Sequence, residues 1–146
     1  MKERKILLVE DRQDDIDLTL RSLKDYNITN KIDVVRDGAQ ALDYIFATGS
    51  YADRNIEDLP SVILLDIKLP KVDGIAVLRR IREDKRTKTL PVVILTSSKE
   101  EKDLINGYKI GCNSYVRKPI DFDEFSKAIR ELGLYWLLLN EPPPIH

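Results

Sequence analysis

The run Ser61-Val62-Ile63-Leu64-Leu65-Asp66 constrains this chain more than any other stretch. Pro60 is its near neighbour upstream and Pro70 closes the segment downstream. A short, unbroken apolar run between breakers reads as a strand covered on both faces, the kind found in parallel sheets. Asp66 then falls at the carboxyl end of that strand, where open α/β sheets bind their ligands. A charge left unpaired there is too costly to serve packing alone. The surroundings of Asp66 therefore decide what the chain can do.

The same punctuation recurs along the sequence. Ile6 to Val9 is a second apolar run ending in acid, Glu10-Asp11. Ile16, Leu20 and Leu23 recur at helical spacing between Asp14 and about Asn27. Asp14, Asp15 and Asp17 suit the positive end of that helix. Lys31 to Arg36 reads as a strand, Asp37-Gly38 as a turn, and Gly38 to Ala47 as a helix with Ala39, Leu42, Ile45 and Phe46 on one face. Thr48 to Pro60 is polar and turn-prone, long enough for an insertion or a functional loop. After the Asp66 strand, Gly74 opens a third helix with Ile75, Leu78 and Ile81 inward. Leu90 to Thr96 is a fourth strand, and Lys99 to Ile110 a more polar helix closed by Gly111. Asn113 to Arg117 is a fifth strand, and Asp121 with Glu124 starts a last helix. The order (βα)₅ predicts an α/β fold, a flavodoxin-like doubly wound parallel sheet with strand order 2-1-3-4-5. That order sets the ends of strands one and three side by side.

The bulk numbers fit one domain over residues 1–146, with 42% apolar residues to build a core. Lys and Arg number 24 against 25 Asp and Glu, without the basic surplus of a nucleic-acid binder. The single cysteine, Cys112, cannot close an internal disulfide, which suits the cytoplasm. The apolar run behind the charged start is far too short for a signal peptide or a membrane span. His146 is the only histidine, which leaves no Ser-His-Asp triad and no histidine metal site.

Glu10, Asp11 and Asp66 converge in this topology. Three carboxylates brought together repel one another and call for a cation. Mg²⁺ fits, because it takes oxygen ligands from one or two carboxylates together with water and phosphate. Thr96 and Lys118 end the two neighbouring strands, and a hydroxyl and an ammonium are what a phosphoryl group needs. The chemistry these residues suggest is attack by Asp66 on phosphorus, giving an aspartyl phosphate. Asp11 and Asp66, with Glu10 acting through water, hold the Mg²⁺; Lys118 and Thr96 contact the new phosphate.

With these residues in place, the sequence resembles a response-regulator receiver domain of two-component signalling. The motifs are Leu8-Val9-Glu10-Asp11, Leu64 to Gly74, Val93 to Ser97, and Tyr115-Val116-Arg117-Lys118-Pro119, together spanning residues 5 to about 130. The resemblance implies that Asp66 takes its phosphoryl group from a histidine kinase. It implies that the Lys68 backbone carbonyl is a metal ligand and that the Lys118-Pro119 bond is cis. It also implies that Thr96 and Tyr115 form a switch that remodels the face made by the fourth helix, the fifth strand and the last helix.

After Pro119 the chain has room for one helix, about 121–140, and a proline-rich tail, so a stand-alone receiver that signals through protein contacts is expected. Phe125, Ile129, Leu132, Trp136 and Leu139 mark the inner face of that helix, while Leu134, Leu137 and Leu138 fall opposite. Leu134, Tyr135, Leu137 and Leu138 are therefore candidates for a homodimer or partner surface. The long 48–60 connection and this leucine-rich helix resemble the stand-alone regulators that serve phytochrome-type histidine kinases. Two other chemistries fit less well. A haloacid-dehalogenase-type phosphatase needs an aspartate where Lys68 stands, and a flavin-binding module needs a phosphate loop where Glu10-Asp11 stands.

Overall fold

A computed structural model describes residues 5–25, 28, 30–96, 111, 114–117, 123 and 127. In chain order they form β1 (Ile6–Val9), α1 (Gln13–Asp25), β2 (Ile32–Val35), α2 (Gly38–Phe46), a 3₁₀ turn (Gly49–Tyr51), β3 (Val62–Asp66), α3 (Gly74–Glu83), β4 (Val92–Thr96) and β5 (Ser114–Arg117). All strand pairs are parallel, and the sheet order is β2-β1-β3-β4-β5, as expected. Asp123 and Lys127 have helical backbone and are exposed.

Both faces of the sheet are covered, which is why β1 is wholly apolar and β3 and β4 are apolar up to their last residue, whereas β2 admits Asp33 and β5 carries Ser114 and Arg117. Ile6 and Leu8 of β1 pack with Ile16 and Leu23 of α1, whereas Leu7 and Val9 face Ala41 and Ile45 of α2 and Leu78 and Ile81 of α3. The alternation follows the two-residue period of a strand. Every residue of β3 is buried, and each fully buried Leu contributes about 1.5–3 kcal/mol to folding.

The buried face of α2 is rotated from the expected one. It consists of Gly38, Ala41, Tyr44 and Ile45, with Ala39 and Leu42 only half-buried. The cause is Tyr44, whose hydroxyl donates to Asp33 Oδ2 at 2.5 Å and so tolerates burial. Ile75 is likewise half-buried, and Val77 takes its inward place.

The 48–60 connection is fastened down. Arg54 donates from Nε to the Tyr44 carbonyl at 2.8 Å and from Nη2 to the Ile45 carbonyl at 3.1 Å. It also reaches the Asp58 carbonyl and stacks on the Tyr44 ring at 4.5 Å. Two of its donors thus meet carbonyls in the last turn of α2, where the helix runs out of its own donors. Lys5 and Asp58 pair at 2.8 Å just ahead of β1 and β3. These residues lie at the amino ends of the strands, the end of the molecule away from Asp66.

Candidate phosphoacceptor site at the carboxyl ends of the strands

Three elements build the site. β1 and β3 are neighbours in register, Val9 beside Leu65, so the residues that follow them emerge together. Glu10 continues the ladder, its N–H donating to the Val35 carbonyl at 3.0 Å. The Asp11 N–H donates to Glu10 Oε2 at 3.0 Å. Glu10 is 1% exposed and Asp66 7%, with Asp11 partly open at the rim. One carboxylate oxygen from each of the three lies within 4.8 Å of the others. Burying two acids beside a third is unfavourable without a cation. Three hard oxygen donors in this arrangement fit a divalent ion such as Mg²⁺.

The loop after β3 completes the wall. Lys68 donates its N–H to Asp66 Oδ1 at 3.1 Å, which turns the carboxylate toward the loop. Gly74 donates to the Ile67 carbonyl at 2.7 Å and lies against the β3 end. A Cβ on Gly74 would sit 2.1 Å from the Asp66 carbonyl oxygen, so only glycine fits there. Asp73 caps α3 by accepting from the Ala76 N–H at 2.9 Å, a role not recognised in the sequence. Asp followed by Gly was the available signal, and it occurs again as Asp37-Gly38 at the start of α2.

Thr96 is the last residue of β4 and pairs in register with Arg117, and Tyr115 pairs with Ile94. The backbone thus puts Thr96 at the same sheet end as Asp66. The side chains of Thr96 and Tyr115 lie outside the described residues, as do Cys112, the Lys118-Pro119 bond, and Leu134, Tyr135, Leu137 and Leu138. Among the described residues no helix is long and apolar enough to cross a membrane.

Residues 6–130 match the response regulator receiver domain, and this chain belongs to that family. It is 38% identical over 138 residues to the probable methanogenesis regulatory protein FilR2 of Methanothrix harundinacea, covering 94% of this chain and 86% of that protein. It is 36% identical over 132 residues to response regulator Rcp1 of Synechocystis sp., covering 90% of this chain and 88% of that protein. The bacteriophytochrome response regulator AtBRR has a similar structure, with a TM-score of 0.84, 48% identity, and coverage of 97% of this chain and 100% of that one. The Mn²⁺-bound form of Rcp1 superposes with a TM-score of 0.75 at 32% identity, covering 98% of this chain and 99% of that chain. The phosphorylated cyanobacterial phytochrome response regulator RcpA gives 0.74 at 33% identity, covering 97% of each chain. The chain is thus a signalling domain of the two-component type, similar to the regulators associated with phytochromes.

Proposed function

We propose that the chain is a stand-alone response regulator in which Asp66 accepts a phosphoryl group from the phosphohistidine of a histidine kinase. The observation that carries this reading is the gathering of the Glu10, Asp11 and Asp66 carboxylates within 4.8 Å at the ends of adjacent strands. An Asp66 oxygen attacks phosphorus, the N–P bond breaks, and the imidazole leaves with the electron pair. Glu10, Asp11, Asp66 and the Lys68 carbonyl are the oxygen set for Mg²⁺, which when bound offsets the negative charge of the transferring group. Rcp1 in its Mn²⁺-bound form and phosphorylated RcpA support a divalent cation and a phosphoryl group in proteins of similar fold.

Lys118, ahead of a cis bond to Pro119, provides the counter-charge to the phosphate, and Thr96 provides a hydroxyl donor. Movement of Thr96 toward the phosphate makes room for the Tyr115 ring, and the two biased states differ at the protein-interaction face. Residues 1–146 form one receiver domain with a last helix of about 121–140 and a proline-rich tail. The protein works in the cytoplasm, and its partners are proteins rather than nucleic acid or membrane. AtBRR, a bacteriophytochrome response regulator, and RcpA, a cyanobacterial phytochrome response regulator, favour a phytochrome-type kinase as donor. Leu134, Tyr135, Leu137 and Leu138 form the surface of a two-fold homodimer.

A phytochrome-type histidine kinase carrying labelled phosphohistidine tests the donor. Label should pass to the wild type and not to Asp66→Asn; label that stays on the kinase with both contradicts the assignment. Sedimentation at micromolar concentration tests the surface. A dimer that Leu137→Glu dissociates is expected, and a wild-type monomer, with or without a phosphoryl mimic, contradicts it.

A further inference from the structure

We propose that the Asp37–Gly38 junction, where β2 passes into α2, is a positioning element for the phosphorylation site. This inference rests on the receiver reading above and deepens it. Loop 67–73 carries the Lys68 carbonyl and leads directly from Asp66. Its inner side is fastened to the site by the Lys68 N–H on Asp66 Oδ1, at 3.1 Å, and by the Gly74 N–H on the Ile67 carbonyl, at 2.7 Å. Its outer side is seated on the start of α2. The Gly38 N–H makes a long bond of 3.4 Å to the Pro70 carbonyl. A Cβ on Gly38 would fall 1.7 Å from the Val72 carbonyl oxygen and 2.5 Å from its carbon. No side chain fits that distance, so any residue but glycine forces the loop and the helix apart.

Asp37 is committed on both oxygens. Oδ1 accepts from the Gln40 N–H at 2.7 Å and caps α2, while Oδ2 lies 3.6 Å from Lys71 Nζ. Lys71 itself takes φ 67, a left-handed conformation that a lysine enters only where its surroundings hold it. The Lys71 side chain is 69% exposed, so the ion pair is the weaker contact and the fit of Gly38 against Val72 the stronger. Of the two bodies in contact, α2 is the rigid one, because Ala41, Tyr44 and Ile45 anchor it in the core. A displacement at Val72 therefore passes along a loop held at both ends to the Lys68 carbonyl and the Asp66 carboxylate. Partners that orient metal ligands from behind change affinity without touching the ion.

Mg²⁺ titration by calorimetry, with the rate of phosphoryl gain from acetyl phosphate measured alongside, tests the inference on the full chain. Gly38→Ala should weaken Mg²⁺ binding about tenfold, and Asp37→Asn, which keeps a capping oxygen but loses the charge, about threefold. Leu23→Ala, in the core cluster across the sheet, should lower the melting temperature and leave Mg²⁺ affinity as in the wild type. Should Gly38→Ala fail to fold, Asp37→Asn alone decides. Folded variants that bind Mg²⁺ like the wild type overturn the inference, as does an equal loss in Leu23→Ala. A wild type that neither binds Mg²⁺ nor gains a phosphoryl group overturns the receiver reading and this inference with it.

Discussion

At the residue scale, Glu10 directly follows the apolar run of β1, with Asp11 next after it, and Asp66 closes that of β3; carboxylates in such places have few structural uses, which makes all three legible in the sequence. Tyr44 and Lys5 were not legible. Their burial depends on partners far along the chain, Asp33 for the hydroxyl and Asp58 for the ammonium, and no local pattern announces such pairs. Tyr44 carries a testable consequence. Burial, then the hydrogen bond to Asp33 and its negative charge, raise the pKa of the hydroxyl well above the ordinary tyrosine range. Folding thus favours the neutral phenol. Its contribution is complete below the unfolded tyrosine value of about 10 and is lost as pH rises above it. Tyr44→Phe should cost about 1.5 kcal/mol at neutral pH, since the bond is to a charged acceptor. Urea midpoints at about pH 8 and about pH 11 check both points: the gap between wild type and variant should narrow at the higher pH. A gap that widens there would contradict the assignment.

Among the elements, the strands were the most predictable and the helix faces the least. Short apolar runs between prolines and acids have one reasonable reading, and β1, β3 and β4 end within two residues of where the sequence suggested. The observed face of α2 departs from its sequence pattern because a tyrosine counts as amphipathic until its hydroxyl finds a partner. The 48–60 connection was ambiguous because Arg54 looks like any surface arginine until its three carbonyl acceptors are in place. Arg54→Ala removes that fastening, and limited proteolysis should then cut within 48–60 while the intact wild type resists. The connection lies away from the carboxylates, so the variant should gain a phosphoryl group at the wild-type rate. Slowed phosphorylation in the folded variant would show that the connection acts on the site after all.

For the whole molecule, a parallel order of β2-β1-β3-β4-β5 explains how acids 56 positions apart in the chain, Glu10 and Asp66, come to share one cation site. The sheet must stay packed on both faces for that to hold. Leu65→Ala, one residue before the phosphoacceptor, should cost about 3 kcal/mol, read as a lowered urea midpoint with the slope unchanged. Intact mass spectrometry after incubation with a small phosphodonor, with and without Mg²⁺, tests the central claim most directly. The wild type should gain one phosphoryl group only with Mg²⁺, and Asp66→Asn should gain none. A folded wild type with no gain under any condition, or an equal gain in Asp66→Asn, would contradict it.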